Sequence, residues 1–516
     1  MIEKTNTQTW AIPSTPISLD NNFDSSLGSM DAISTCYDSL LEYEYIPYSN
    51  KSNLLKENIE YNSKKTGGFA MKGMLAESWD LHKDLNKITF KIRKGVKSHW
   101  GNELTAEDIK WSWDRKLAIG GIGEYFASLI GLKKSEQVQI ESKYAVTFKL
   151  DKPSSLILKV HRNPRNYIYD SKKIKESTSD EDPWGRDFIS NNIVGFGPYK
   201  MASLERGKSF IAHCHKEYWG KKPSINKLVM LEVKSSYERL KKLKEAEVDI
   251  SQHLSPFQLE DLKNYKDISI DKVQSSNMLW INLNCNQPPF NNVMVRKAMN
   301  YAFPTYDAIS AVYKDYANVL EGVMPDFYPG YLGQSNYSET NINKARNLLD
   351  VAGYKSGFET YCIYDNNQFF MKPILEIYKK SLQQIGINLI LKKVLSSKYF
   401  TEQQSSVHPM KITRYAPWCA DPGYALTVSF LSNSLGNYSH YKNDKVDKLI
   451  TSASSEINID KRFRMLNKAQ KIILKDCPWV LICNPNFNLA RNKNLKGLVY
   501  RTFNHLKAQD FYWSKV

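Results

Sequence analysis

The chain has 516 residues, of which 71 are basic and 54 acidic, and its formal net charge is +17. This length exceeds what one hydrophobic core usually serves, and it predicts two or three lobes. Hydrophobic residues make up 42% and charged residues 24%, as in ordinary globular proteins, and no uninterrupted apolar run is long enough to span a bilayer. The basic residues are scattered along the chain, which argues against a nucleic-acid-binding protein.

The amino-terminal sequence MIEKTNTQTWAIP lacks the basic start and the apolar core of a signal peptide. Either the protein is cytosolic, or its leader is absent from this numbering. The cysteines include no C-x-x-C pair, which argues against a zinc ribbon or a thioredoxin-type site. They are Cys36, Cys214, Cys285, Cys362, Cys419, Cys477 and Cys483. We predict neither a disulfide scaffold nor a cofactor.

The first third of the chain alternates helix and strand patterns. An amphipathic helix is predicted at about 31–41. Residues 87–93 alternate apolar and polar side chains like a half-buried strand, and Thr105 is placed to cap the helix that follows. Because Trp111 and Trp113 lie two positions apart on that helix, we expect at least one of them to face a cleft or another lobe.

Two histidines in the middle of the chain are candidate metal ligands. His213 and His215 are predicted to share one face of a strand, as a two-ligand metal site requires. No third histidine or carboxylate motif lies nearby in sequence. A purely structural role for both histidines is therefore the favoured interpretation.

The clearest unit of parallel sheet lies in the second half. A strand at 359–364 is followed by a helix at about 370–384, which ends at Gly386, and by the returning strand INLILKKV. This order implies a crossover between parallel strands.

The stretch 414–450 follows, and it carries a carboxylate beside aromatic side chains. Tyr415 and Trp418 precede Asp421, and Pro422 biases Asp421 toward an extended backbone while Gly423 permits a sharp turn. Such a corner suits a ligand cation, for example a primary ammonium. A solvated turn residue is an equally good interpretation of the local pattern, because Asp-Pro-Gly is a common turn signal.

Seven segments occur in an order and spacing that resemble one protein family. They are LAESWDL, ITFKIRKGVKSHWGNELTAEDIKWSW, VGFGPYKM, YWGKKPSINKLVMLEV, NQPPFNNVMVRKAMNYAF, the 414–450 stretch and CPWVLICNPNFNLARNKNLKGLVY. Together they resemble the extracytoplasmic solute-binding proteins of ABC importers, family 5, the peptide and nickel group. The resemblance runs from about residue 9 to the carboxyl terminus.

The resemblance implies an α/β fold of the periplasmic-binding-protein type (class C). Two α/β lobes are joined by a hinge, and an extra domain is inserted in the first lobe. The first lobe is expected to comprise residues 1–45, 185–272 and 483–516. The inserted domain is expected at 46–184 and the second lobe at 273–482.

The resemblance also implies a ligand site. In the oligopeptide-binding branch, a W-C-A-D segment supplies the carboxylate that pairs with the ligand α-ammonium, and Trp418 to Asp421 match this segment. That branch links the cysteine by a disulfide to the strand that enters the second lobe; the matching QSSNMLWINLN has no cysteine, and Cys285 lies just beyond it. Pro422 is a further departure and leaves the ligand chemistry open. The predicted ligand contacts are Asp421, Trp418, Cys419, Ala420, Tyr415, Arg414, Asn437, Tyr438, Trp280 and Asn282.

The function that the resemblance predicts is a substrate-binding receptor of an ABC importer and not an enzyme. It would capture short peptides or peptide-like amines in an interlobe cleft. The expected partners are the ligand and the permease and ATPase subunits, without nucleic acid and with membrane contact only through the transporter. We expect an extracytoplasmic monomer, periplasmic or at the cell surface. Two alternatives stay open: a receptor for an opine, sugar conjugate or other non-peptide metabolite, and a cytosolic sensor or enzyme on the same fold.

Overall fold

The computed structural model describes residues 6–23, 27–49, 53–62, 68–333, 337 and 339–514. The chain divides into two compact units. The first comprises residues 1–254, 258–271 and 488–516, and the second comprises 255–257 and 272–487. Within the described part of the chain, no helix is both long enough and apolar enough to cross a membrane.

The strands are numbered here in chain order. They are β1 (Thr7–Ile12), β2 (Leu41–Tyr43), β3 (Tyr45–Pro47), β4 (Leu55–Glu57), β5 (Tyr61–Asn62), β6 (Gly68–Phe69), β7 (Met71–Gly73), β8 (Ala76–Leu81), β9 (Lys87–Ile92), β10 (Val138–Ser142), β11 (Ala145–Lys149), β12 (Tyr199–Glu205), β13 (Ser209–Cys214), β14 (Lys227–Glu232), β15 (Ile250–Ser251), β16 (Ile268–Val273), β17 (Met278–Leu283), β18 (Ala317–Val319), β19 (Phe358–Asp365), β20 (Ile387–Val394), β21 (Met410–Tyr415), β22 (Trp479–Pro485), β23 (Phe487–Asn492), β24 (Leu495–Lys496), β25 (Val499–Tyr500) and β26 (Tyr512–Trp513).

The α-helices are Leu27–Cys36, Ala106–Ile119, Gly121–Leu129, Ile157–Arg162, Ser171–Lys175, Arg186–Asn191, Ser236–Lys244, Pro256–Leu262, Val293–Tyr301, Thr305–Tyr313, Ile342–Val351, Met371–Gln383, Ser396–Gln404, Pro422–Phe430, Asp444–Ser454 and Ile459–Asp476. Short 3-10 helices cover Ser135–Gln137, Pro164–Asn166 and Ala508–Asp510. Helices and strands thus alternate through both units, and the predicted α/β class is confirmed.

The first unit carries a seven-stranded sheet with the order β12-β13-β14-β1-β15-β23-β16. Strand β1 lies parallel to β14 and to β15, while β13 lies antiparallel to both β12 and β14. The sheet is therefore mixed, and it joins strands from both ends of the chain.

A second sheet of this unit, with the order β10-β11-β9-β8, supports the helix Ala106–Ile119. Strand β9 has the predicted alternation of burial, and the Asp108 carboxylate accepts a 2.8 Å hydrogen bond from the Thr105 backbone N–H at the start of the helix. Both tryptophans of the helix are buried, so neither faces an open cleft; that one of them faces another lobe stays a prediction. Trp113 packs on Phe148 of the sheet, and Trp111 packs on Trp184, which lies later in the sequence.

The predicted helix at 31–41 begins earlier and ends earlier, at Leu27–Cys36. Residues 37–40 belong to neither a helix nor a strand, and Leu41 begins strand β2, which pairs with β7. The backbone N–H of Gly197 donates a 3.1 Å hydrogen bond to the Cys36 carbonyl, and a Cβ atom on Gly197 would lie 2.4 Å from that carbonyl carbon. A glycine-rich segment distant in sequence therefore packs against this helix end.

The second unit is built on a six-stranded sheet with the order β18-β22-β17-β21-β19-β20. Strands β19 and β20 are parallel and joined by the helix Met371–Gln383, so the predicted parallel unit is confirmed. Strand β17 lies antiparallel to β21 on one side and to β22 on the other, and all six of its residues are buried. This central strand holds in place the residues considered next. The finer five-part division of the chain stays a prediction.

Candidate functional site

Trp280 and Asn282, two predicted ligand contacts, lie within the sheet of the second unit and bond to their neighbours. The indole N–H of Trp280 donates to Asn282 Oδ1 at 3.0 Å, and the ring stacks on Trp479 with centroids 4.1 Å apart. Asn282 Nδ2 donates to the Lys411 carbonyl and to Thr413 Oγ1, at 3.1 and 2.8 Å. Both side chains are buried and link β17 to β21 and β22.

Lys411, on β21, is a buried cation that the sequence analysis missed. Its ammonium donates to the carbonyls of Gln403, Ser405 and Tyr438 at 3.0, 2.7 and 2.8 Å, and it lies 3.1 Å from His440 Nε2. Burial lowers the pKa of Lys411 to about 7. A single lysine between Met410 and Ile412 has the local pattern of an outward-facing strand position, so only the three-dimensional packing reveals this role.

Arg414 and Tyr415 end strand β21 and are more accessible. The Arg414 side chain is exposed, and its guanidinium lies 5.2 Å from the Phe370 ring centroid. No carboxylate of the described residues lies within ion-pair distance of it. The half-buried Tyr415 places its hydroxyl 3.2 Å from the hydroxyl of Tyr424. This end of the strand therefore presents a cation and phenol groups.

The W-C-A-D segment forms a bend directly after β21. Trp418 is half-buried, whereas Cys419 and Ala420 are buried. The backbone N–H of Asp421 donates to the Cys419 carbonyl at 2.8 Å. The Sγ of Cys285 lies 3.4 Å from the Leu283 carbonyl at the end of β17.

Asp421 begins the helix Pro422–Phe430 instead of occupying an open turn. Its backbone is extended, its Oδ1 accepts a 3.0 Å hydrogen bond from the Tyr424 N–H, and Pro422 is the first helical residue. The extended backbone was predicted, but the helix start was not. Asp at the cap followed by Pro is a helix-start pattern as well as a turn pattern.

The Asp421 carboxylate is buried and forms an ion pair with Arg462. The Arg462 Nη2 donates to Asp421 Oδ1 at 2.6 Å, and its Nε donates to the Ala453 carbonyl at 3.2 Å. A Cβ atom on Gly423 would lie 2.5 Å from that Nη2, so the guanidinium needs a glycine there. The residue that sequence analysis missed here is Arg462, and no local pattern marks it, because it lies 41 positions away.

Asn437 and Tyr438 lie in the loop that follows the same helix. Asn437 is buried, its Nδ2 donates to the Tyr441 carbonyl at 2.8 Å, and its Oδ1 accepts from the Tyr441 N–H at 3.1 Å. Tyr438 is half-buried, and burial raises the pKa of its hydroxyl to about 12. Asn437 thus holds its own loop together, and the Tyr438 carbonyl binds Lys411.

The two candidate metal ligands do not share a face. His213 is exposed on β13, whereas His215 lies beyond the strand and is buried, with its ring 5.1 Å from that of His99. No cluster of three or more His, Cys, Asp or Glu side chains able to hold a metal occurs among the described residues. The shared-face prediction was wrong because the strand ends at Cys214.

The predicted ligand contacts therefore fall into two groups. Asp421, Asn437, Trp280 and Asn282 are buried and bonded to other residues of the second unit, and Cys419 and Ala420 are buried as well. The accessible side chains are Arg414, Tyr415, Trp418 and Tyr438. Contact of either group with a ligand stays a prediction.

Comparisons with known proteins extend over most of the chain. The sequence model of the family described as "Bacterial extracellular solute-binding proteins, family 5 Middle" matches residues 70–437. The "Probable D,D-dipeptide-binding periplasmic protein DdpA" of Escherichia coli (strain K12) is 27% identical over 441 residues, which are 84% of this chain and 83% of that protein.

Two solved structures have the same fold. The periplasmic binding protein DppA from Helicobacter pylori, in complex with the peptide STSA, has a TM-score of 0.83 at 22% identity and covers 100% of both chains. The protein MoaA from A. tumefaciens R10, in complex with mannopinic acid, has a TM-score of 0.80 at 20% identity, with 99% of this chain and 100% of that chain covered. With the family match, these findings show that this chain belongs to the bacterial extracellular solute-binding proteins, family 5.

Proposed function

We propose that the protein is the substrate-binding receptor of an ABC importer and that it captures short peptides or peptide-like amines outside the cytoplasm. The observation that carries this proposal is the similarity to a D,D-dipeptide-binding periplasmic protein along 84% of the chain. A receptor of this kind delivers its ligand to a permease, which works with ATPase subunits. No chemical step on the ligand is needed for that task.

The end of strand β21 supplies the chemistry for a peptide carboxylate. The Arg414 guanidinium is exposed, and no carboxylate of the described residues lies within ion-pair distance. A guanidinium presents a planar set of donors that matches a carboxylate in two parallel hydrogen bonds. The Phe370 ring beside it limits the directions from which that group is approached. We assign the ligand carboxylate to Arg414.

The ligand ammonium is assigned to Asp421, as the W-C-A-D segment predicts. In the structure this carboxylate is buried and its Oδ1 is bonded to Arg462 and to the Tyr424 N–H. An ammonium would therefore share the carboxylate with a guanidinium. The direct test of this assignment is a variant in which only the charge of Asp421 is removed.

A cross-titration tests both assignments in one experiment. Three forms of one dipeptide are titrated by calorimetry: free, acetylated at the amino end and amidated at the carboxyl end. The wild type should bind the free form about a hundredfold more tightly than either blocked form, because a desolvated ion pair is lost in each case. Arg414→Gln should abolish only the preference for the free dipeptide over the amidated form. Asp421→Asn should abolish only the preference for the free dipeptide over the acetylated form.

Each variant is the control for the other, and the ratio of two affinities is insensitive to a uniform loss of folded protein. If Asp421→Asn keeps the preference for the free amine, Asp421 has only its helix-capping and Arg462-binding role. If the wild type binds none of the three forms, the peptide proposal fails.

A non-peptide ligand is the second candidate, because a structure of the same fold was solved with mannopinic acid. Native mass spectrometry of the protein as purified distinguishes the two. A retained mass that matches amino-acid residues supports the peptide receptor, and any other organic acid or amine supports the second candidate.

A further inference from the structure

The helix Ile459–Asp476 carries a row of basic side chains along its exposed face. We define the basic stripe as Arg464, Lys468, Lys471 and Lys475, all of which are exposed. Their spacing of four, three and four residues places them within an arc of about 60° and along about 16 Å of helix. The opposite face, with Leu466, Ala469 and Ile473, is buried. The stripe is therefore a straight line of positive charge that points away from the core.

Acidic side chains do not neutralise the stripe. Lys461, one turn earlier, pairs with Glu456 at 2.7 Å. The four residues of the stripe have no carboxylate within ion-pair distance in the part of the chain that the structure describes. Asp460, also exposed, lies four residues before Arg464 on the same face and offsets part of the charge at this end. Lys468, Lys471 and Lys475 have no acidic residue three or four positions away on the helix.

Other exposed helices of the protein mix the two signs of charge. On Met371–Gln383, Glu376 lies midway between Lys372 and Lys380 at four-residue spacing. On Ser236–Lys244, Glu238 lies four residues before Lys242. The mixed pattern is the usual one for a solvated helix face. The basic stripe departs from it over three turns of helix.

Further positive charge lies at the carboxyl end of this helix. The ammonium of the exposed Lys344 lies 4.2 Å from the Tyr301 ring centroid. Tyr301 packs against Tyr337 with centroids 4.8 Å apart, and the Tyr337 hydroxyl oxygen accepts a hydrogen bond from the Cys477 thiol at 3.1 Å. This series of contacts places one more exposed cation near the carboxyl end of the helix.

The stripe lacks an apolar anchor. No large apolar side chain that is exposed in the described residues belongs to the helix Ile459–Asp476. A helix that inserts into a bilayer presents Trp, Phe or Leu on one face, and a specific protein interface centres on buried aromatic or arginine contacts. A line of cations without such an anchor fits a flat anionic surface that is touched but not penetrated.

We propose that the basic stripe is a docking surface for an anionic phospholipid bilayer. A bilayer offers a plane of phosphate groups, which matches a straight row of cations better than the irregular surface of an acidic protein does. This contact goes beyond the predicted one through the transporter alone. It would concentrate the receptor at the membrane, where the permease lies. The proposal needs no bound solute, so its test is independent of the peptide assignment.

The test is co-sedimentation of the full chain with vesicles, without solute, at low and at physiological salt. Vesicles contain either phosphatidylcholine alone or phosphatidylcholine with phosphatidylglycerol. The wild type should sediment only with the anionic vesicles, and less so at higher salt. Lys468→Gln with Lys471→Gln should lower the partition coefficient by about 25-fold, since each cation near such a surface contributes about fivefold.

The matched control is Lys372→Gln with Lys380→Gln, which removes the same net charge from another exposed helix and should lower partitioning by no more than about fivefold. An equal loss in the control would show that net charge alone drives binding and would overturn the proposal. A wild type that ignores anionic vesicles overturns it as well. In that case, stripe-dependent binding to polyglutamate would point to an acidic protein partner instead. The exposed positions leave folding intact, which an unchanged melting temperature verifies.

Discussion

Asp421 and Lys411 are both charged and buried in the second unit, yet they are stabilised in opposite ways. The Asp421 carboxylate has a cation as partner, the Arg462 guanidinium, at 2.6 Å. The Lys411 ammonium has uncharged partners: it donates to three backbone carbonyls, and the His440 ring lies beside it. Lys411 lies in strand β21, and Asp421 begins the helix just beyond it.

The difference concerns what each charge depends on. A buried ion pair requires both members, because removal of one leaves the other charge without compensation. A buried ammonium among neutral acceptors can lose its proton, and burial lowers the pKa of Lys411 to about 7. We therefore expect mutation of the pair to be costly, and the contribution of Lys411 to change with pH. Three predictions follow this contrast.

The largest expected effect is that of Arg462→Met. It leaves the Asp421 carboxylate buried without its cation and should lower the free energy of unfolding by about 3–5 kcal/mol. Adding Asp421→Asn to the same chain should restore part of that loss, because the uncompensated charge is then gone. Urea denaturation of the wild type, both single variants and the double variant gives the coupling.

A matched control is Arg464→Met, two positions along the same helix, where the side chain is exposed and unfolding should change by less than about 0.5 kcal/mol. Strictly additive losses for Asp421→Asn and Arg462→Met would contradict the prediction.

Features that depend on residues close together in the sequence could be predicted, and features that depend on distant residues could not. The alternation of apolar and polar side chains along β9 is a local pattern, and so is the sequence of the helix Met371–Gln383. The sequence therefore predicts both elements. The end of the helix Leu27–Cys36 is set against Gly197, and the partner of Asp421 comes from a helix 41 residues on. Neither the helix end nor the ion-pair partner can be predicted from the residues next to it in the sequence. At Asp421 itself, the local Asp-Pro-Gly pattern is ambiguous, because it is typical of turns and also of helix starts. The turn is what the sequence analysis favoured.

Lys411→Met should have an intermediate effect. Methionine fills much of the lysine volume but leaves the carbonyls of Gln403, Ser405 and Tyr438 without this donor. Unpaired buried carbonyls are costly, and we expect a loss of about 2–3 kcal/mol at pH 7 in chemical denaturation. A loss below about 0.5 kcal/mol would show that other groups satisfy these carbonyls once the lysine is gone.

The smallest effect is a slope with pH, measured as the difference in unfolding free energy between the wild type and Lys411→Met. The folded-state pKa of Lys411, about 7, lies below its ordinary value of 10.5. Between these values the unfolded chain holds a proton that the folded chain has released, so the wild type gains stability as pH rises. The gain is at most about 1.4 kcal/mol for each pH unit, and it is lost as pH falls through about 7.

The subtraction makes this slope specific to Lys411. Other groups that titrate above pH 7 are present in both proteins and cancel, and burial lowers the pKa of His440, so that ring is neutral throughout the range. In denaturation at pH 7, 8 and 9, the free energy of unfolding of the wild type relative to that of Lys411→Met should therefore increase at each step. A difference that is flat from pH 7 to 9 would mean that the ammonium keeps its proton in the folded state. The three surrounding carbonyls would then outweigh burial, and the contrast with the Asp421 pair would be one of partners alone.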